Sequence, residues 1–322
     1  MILPTTSVGS LPRDDYLIKA RKDFREGELD ETQYIEVVRK ATRDWIKIQE
    51  QLGLDILVDG EFERDDMATF FAERLKGFEI SGWVRSYGNR YYRKPVAVGK
   101  IEFIEPMALD IWKFAQGCTG RPVKAIFTGP YTMMDWSFNE YYQTRRAMLM
   151  ELAEALSHEL KALEKAGAKY IQIDEPALSA RPSEINDVIE AINIMTKDIK
   201  AKTIMHVCYG LFEKIYPKML DINIDQFDLE FANRSYELLA LFQKDKYTKE
   251  VGLGVTDVHN HRIETKDEIK AGIRKAMSVI PADKIYVDPD CGLKTRTPEE
   301  GKAKLKVMAD AVKELRVELD AQ

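Results

Sequence analysis

A (β/α)8 barrel of the TIM type, with a β-hairpin inserted after the second strand, is the fold this sequence predicts. Three observations predict it. Eight short apolar runs recur along the chain, each ending in polar or chemically capable residues. Stretches with apolar residues at helical spacing lie between them, and strand alternating with helix implies a parallel sheet. The length of 322 residues suits one such barrel, so residues 1–322 are read as a single catalytic domain. The alternative is an open doubly wound sheet. It is disfavoured because no run leads into a glycine-rich phosphate loop; Gly252-Leu253-Gly254 is only a fragment of one.

The eight runs are, in order, Pro4–Ser10, Asp55–Glu61, Val123–Pro130, Tyr170–Glu175, Lys202–Met205 leading into His206 and Cys208, Gln226–Glu230, Val251–Val255 leading to Asp257 and His259, and Ile285–Cys291. Helical patterns cover Glu31–Leu52, with apolar positions at Ile35, Val38, Ala41, Trp45, Ile48 and Leu52 and a stop at Gly53. Others cover Glu140–Ala166, ending at Gly167, then Glu184–Ile199, Lys266–Val279 and Pro298–Leu319. Pro298 followed by Glu299 and Glu300 is a good helix start. One segment breaks the alternation: Trp83–Phe103 reads as a hairpin, giving an insert of about 80–105. Such an excursion serves as a lid or an oligomer contact.

Composition narrows the function. A hydrophobic content of 45% supports a sizeable core, and a net charge of -6 without a basic, aromatic-laced stripe excludes nucleic acid as the expected partner. No apolar run is long enough to cross a bilayer, and the N-terminus lacks a signal-peptide pattern, so a cytoplasmic protein is expected. Three cysteines, Cys118, Cys208 and Cys291, argue against a disulfide framework.

In a (β/α)8 barrel the strand C-termini converge on the face that carries the active site. Collected there are Ser10, Glu61, Asp174, His206, Cys208, Glu230, His259 and Cys291. Residues two apart in a strand point the same way, so His206 and Cys208 aim at one spot. An imidazole and a thiolate are half of a tetrahedral zinc site; Glu230 and Cys291, at later strand ends, complete it. Read singly, each cysteine is a small buried hydrophobe and His206 a hydrogen-bonded core histidine; together they favour the metal. Cys118 lies in a loop-like stretch and is left out. Glu61 and Asp174 are candidates for substrate binding, with simple ion pairing as the plainer role. Asp257 either orients His259 or caps a turn.

The motifs carry a resemblance. Thr5–Pro12, Asp59–Met67, Ser86–Arg90, Thr128–Pro130, Asp135–Phe138, Ile171–Leu178, His206–Tyr209, Gly254–His259 and Asp288–Arg296 occur in the order found in the C-terminal catalytic half of cobalamin-independent methionine synthase, over nearly the full length. The chain is similar to that family, specifically to its short stand-alone form. The resemblance implies a zinc ion on His206, Cys208, Glu230 and Cys291, with homocysteine beside it as methyl acceptor and methionine as product. It implies that Val8, Gly9 and Ser10 hold the homocysteine carboxylate, and Glu61 and Asp174 its amino group. It also implies that Arg90 and Trp136 contact a folate donor. His259, with Asp257, is the candidate general acid, because a folate amine needs a proton to leave.

The donor is expected to be methylcobalamin or a methylated corrinoid carrier protein, because the chain begins directly at the catalytic half. Methyltetrahydrofolate with a polyglutamate tail is the alternative. From a different class, a non-catalytic zinc- and corrinoid-binding accessory protein fits the same residues.

Overall fold

The structure, a computed structural model, describes residues 1–85 and 91–320. Among the described residues ten strands are formed: β1 (Leu57–Val58), β2 (Leu75–Arg85), β3 (Tyr91–Phe103), β4 (Val123–Thr128), β5 (Phe138–Asn139), β6 (Tyr170–Asp174), β7 (Lys202–Val207), β8 (Gln226–Leu229), β9 (Glu250–Gly254) and β10 (Ile285–Asp288). The chain folds as two compact units. One holds Met1–Glu63, Ile111–Lys124 and Gln226–Gln322; the other holds Arg64–Asp110 and Ala125–Asp225.

In the first unit β8, β9 and β10 pair in parallel, with Gln226 opposite Glu250 and Ile285 opposite Val251. The first predicted strand joins the far side of β10, but only as an isolated parallel bridge between Thr5 and Val287. Its shortness has a local cause. Pro4 has no N–H to donate, and both the N–H and the hydroxyl of Thr5 donate to Asp55 Oδ2 at 2.8 Å instead of joining a ladder. The Thr5 carbonyl accepts from Asp55 and Ile56, which carries the order on to β1. β1 in turn pairs with Val123 and Lys124, the head of β4. It stops after two residues because the Gln49 side-chain amide takes both backbone groups of Val58. Within this unit each expected run is thus in place and parallel, with side chains replacing part of the ladder at the first two.

In the second unit β4, β6 and β7 pair in parallel, with Thr128 opposite Asp174 and Asp174 opposite His206. The inserted hairpin is here as well. β2 and β3 are antiparallel, and β5 adds to β3 in parallel. Its arms span 75–103 rather than about 80–105. The early start was hidden by Gly77, which breaks the alternation between Lys76 and Phe78. Gly77 has φ +88°, and a Cβ there would lie 2.4 Å from the Lys100 carbonyl oxygen. Ser86–Arg90, at the hairpin turn, lie outside the described residues.

The helix over Glu31–Leu52 has the predicted bounds. Asp30 and Gln33 form a capping box, and Gly53 closes it at φ +88°. The next long helix starts at Arg145, not Glu140, because Thr144 caps it while Asn139 Oδ1 accepts the Tyr141 and Tyr142 amides. The remaining predicted helices run Ile185–Met195, Lys266–Met277 and Pro298–Asp320. Among the described residues, no helix is long and apolar enough to cross a membrane.

Candidate metal and substrate site

The second unit supplies His206 and Cys208. His206 is the penultimate residue of β7 and Cys208 the first beyond it; both are buried. Tyr209 follows in the left-handed region at φ +55°, so the chain turns sharply away once the two donors are set. Asp174 ends β6 as the register neighbour of His206, so the two side chains emerge side by side on one face. It is buried, and its Oδ1 accepts from Gln172 Nε2 at 2.7 Å.

The first unit supplies Val8, Gly9, Ser10, Glu61, Glu230, His259 and Cys291. The Ser10 carbonyl accepts the Leu293 amide at 2.7 Å. A Cβ on Gly292 would lie 2.0 Å from Ser10 Oγ, so a larger residue there would oblige the Ser10 hydroxyl to turn away from the Cys291 loop. Glu61 follows Gly60, both with positive φ, and its N–H donates to Asp59 Oδ1. Glu230 comes just after β8 and is buried; Asn233 Nδ2 donates to its Oε2 at 3.0 Å, while its Oε1 has no hydrogen-bond partner among the described residues. His259 Nε2 lies 3.7 Å from that Oε1.

His206 and Cys208 of the second unit and Cys291 of the first are donors of the kind that bind zinc. Two sulfurs and an imidazole are the soft donors that select zinc over magnesium or calcium. The orphaned, buried Glu230 oxygen is the feature expected of a fourth ligand. The residues present therefore fit the ion. Cys118 takes no part: its thiol donates to the Phe114 carbonyl at 3.2 Å.

Asp257 accepts the His259 backbone N–H at 2.8 Å and the Asn260 side-chain amide, so of its two expected roles the geometry selects the turn cap. Trp136 does not sit at a strand end; it closes the short helix Pro130–Asp135 and is half-buried. Arg90 lies outside the described residues.

Two residues absent from the sequence-based set shape the site from below. Glu175 is fully buried and accepts from Tyr131 N–H (2.9 Å), Thr132 N–H (2.7 Å) and Thr132 Oγ1 (2.7 Å). Burial, with Asp174 adding a smaller push, lifts its carboxyl to about 7. Asp290, also fully buried, accepts the amides of Phe231, Ala232 and Asn233 at 2.7–2.9 Å and so fixes the turn that carries Glu230. Both stand next to a residue singled out from sequence, Asp174 and Cys291. In an extended chain such a neighbour points to the opposite face, and that adjacency was the available signal.

Comparison with known proteins decides the family. Residues 3–314 match the model described as "Cobalamin-independent synthase, Catalytic domain". The chain belongs to this family. It is 41% identical over 322 residues to a "Methionine synthase" of Pyrococcus furiosus, covering 100% of this chain and 95% of that protein. It is also 41% identical over 330 residues to a "5-methyltetrahydropteroyltriglutamate--homocysteine methyltransferase" of Bacillus licheniformis, covering 99% of this chain but 43% of that protein. Among solved structures, it superposes on a B12-independent methionine synthase from Shewanella sp. W3-18-1 in complex with selenomethionine. There the TM-score is 0.88 and the identity 29%, with 100% of both chains covered. The fold is accordingly of the (β/α)8 type, and the chain is an enzyme of the methionine synthase family. The comparisons also correct one expectation. The family is cobalamin-independent, so methylcobalamin and a corrinoid carrier protein lose their support as donor and partner. That expectation rested on where the chain begins, which is not a property of the site.

Proposed function

We propose that this protein makes methionine by transferring the methyl group of 5-methyltetrahydropteroyl-polyglutamate to the sulfur of homocysteine, with residues 1–322 acting as one catalytic domain. The observation that supports the reading is the donor set, His206 and Cys208 where β7 ends and Glu230 and Cys291 after β8 and β10, in a chain of the cobalamin-independent family. His206, Cys208, Glu230 and Cys291 are the residues that would hold zinc. When bound, zinc lowers the pKa of a thiol beside it and supplies the substrate as thiolate, the nucleophilic form.

The chain's own residues do the rest. Val8, Gly9 and Ser10 take the amino-acid carboxylate, and the carboxylates of Glu61 and Asp174 take the ammonium. Trp136 offers a flat surface for the pterin, and Arg90 is assigned to the same donor. The sulfur attacks the methyl carbon, the carbon–nitrogen bond breaks, and its electron pair stays on the nitrogen. That nitrogen is a poor leaving group as an anion, so His259 delivers a proton to it in the same step. His259 is half-exposed and set beside Glu230, within reach of a donor arriving from solvent.

The test is to incubate the zinc-loaded protein with homocysteine and 5-methyltetrahydropteroyltriglutamate and to measure methionine by mass spectrometry. Methionine formed only in the presence of both is expected. Its absence, with zinc bound and homocysteine taken up, overturns the donor assignment.

A further inference from the structure

Lys304 is wholly buried on the helix Pro298–Asp320, and Glu264, also buried, meets it at 3.0 Å. Two charges taken out of water are no more stabilising than apolar side chains of the same size, so stability alone gives no reason for the pair. Its connections do. Lys304 Nζ donates to both oxygens of Glu264 and to the Arg262 carbonyl. Glu264 Oε1 also accepts the Asp257 N–H at 3.0 Å. The Asp257 carboxylate then accepts the His259 N–H. One turn earlier on the same helix, Glu300 Oε1 meets His261 Nδ1 at 2.7 Å. The segment from Asp257 to Glu264 is thus tied to one rigid helix at several points, and His259 sits in its middle. Nε2 of its imidazole lies 3.7 Å from Glu230 Oε1.

We propose that Lys304 and Glu264 are positioning residues, whose buried pair sets the loop so that the His259 imidazole stays where it can deliver its proton. This rests on the reading of His259 as proton donor. A misplacement of about 1 Å at a reacting group costs up to roughly a hundredfold in rate, which sets the expected scale.

The experiment is steady-state kinetics on the zinc-loaded full chain, with homocysteine and 5-methyltetrahydropteroyltriglutamate, for Lys304→Met, His259→Asn and the double variant. Lys304→Met should lower kcat by about ten- to a hundredfold. KM for homocysteine and zinc content should stay within about twofold of wild type, and the double variant should be no slower than His259→Asn alone. Lys304→Arg, which keeps the charge, should recover part of the loss. A merely structural role would instead lower zinc retention and homocysteine affinity and would multiply with His259→Asn. That outcome, or a wild-type rate for Lys304→Met beside an impaired His259→Asn, overturns the proposal. A wild-type rate for His259→Asn overturns the proton-donor reading itself. Should Lys304→Met fail to fold, Glu264→Gln, which keeps the volume and removes the charge, is scored the same way.

Discussion

Replacing Gly129 by alanine tests the brace beneath the candidate pterin surface. The backbone tolerates it: Gly129 has φ -73° and serves as the N-cap of the helix Pro130–Asp135. The effect is therefore steric. A Cβ built there lies 2.2 Å from Glu175 Oε1, 2.4 Å from its Cδ and 2.6 Å from its Cγ. The obstacle cannot swing aside cheaply, since that carboxylate is fully buried and held by two amides and a hydroxyl. Nor can the main chain retreat, because the Gly129 N–H donates to the Asp174 carbonyl at 2.9 Å. Above pH 7, where this acid is ionised, each such bond contributes roughly 1.5–3 kcal/mol, so losing two of the three costs about 3–6 kcal/mol. Unfolding entropy is about 2.1 cal/mol/K per residue, which over the 322 residues makes each kcal/mol worth roughly 1.5 °C. Gly129→Ala should therefore lower Tm by about 5–9 °C in a calorimetric scan. Gly120→Ala is the control, because nothing lies within 4 Å of a Cβ at that position. Shortening the acid by one methylene, in Gly129→Ala/Glu175→Asp, should restore part of the loss. A Gly129→Ala melt within about 1 °C of wild type would refute the reasoning, and so would an equal fall in Gly120→Ala.

The same carboxylate gives a pH signature. Burial raises it from 4.5 to about 7, so the folded state holds a proton that the unfolded chain has released between those values. Its contribution to stability is full below 4.5 and is lost as the pH rises through 7; the difference, 7 − 4.5 = 2.5 units, corresponds to about 3 kcal/mol. Melts across about pH 5 to 8 should show wild type losing stability relative to Glu175→Gln, and parallel profiles would contradict this. At the metal centre, Cys208→Ser and Cys291→Ser should each cut zinc retained against a chelator by about tenfold or more, while Cys118→Ser retains it; equal retention in all three excludes the ligand set. Trp136→Ala should raise KM for the folate donor by roughly tenfold and leave KM for homocysteine unchanged, the loss expected of one aromatic stacking surface. A change in the homocysteine KM alone would place Trp136 elsewhere in the reaction.

Much of this was legible because strand periodicity and strand ends carry their own signal. His206 and Cys208 stand two apart at the end of an apolar run, and both are buried where β7 ends. The helix Glu31–Leu52 was readable to the residue, since its capping box and terminal Gly53 are both local. The unread parts are the ones settled by distant side chains. Asp55 and Gln49 take backbone groups that the first two strands would have used, which shortens them in a way no local pattern records. The short helix Pro130–Asp135 carries no helical apolar period of its own; it is held by Glu175, 43–44 residues away. The role of Asp257 was open in sequence because a turn cap and an imidazole partner use the same residue at the same spacing; only the bond to the His259 amide separates them.

Glu175 and Asp290 do the same job in the two units, and their likeness says how such a site is kept rigid. Each follows or precedes a functional residue, Asp174 or Cys291, on its own stretch of chain. Each reaches back to the loop that follows an earlier strand, β4 or β8, and collects the amides at the start of its turn. Each needs a glycine to clear its path: a Cβ on Gly129 would lie 2.2 Å from Glu175 Oε1, and one on Gly254 would lie 2.2 Å from Asp290 Oδ1. Collecting amides satisfies donors that would otherwise be buried without partners. It also fixes the turn that leads to Trp136 in one case and the turn that follows Glu230 in the other. A buried carboxylate is costly when it does not gather several such bonds, and burial lifts both carboxyls to about 7 even though the bonds are made. The position of these acids is therefore best explained by the precision they give the loops above them, not by stability.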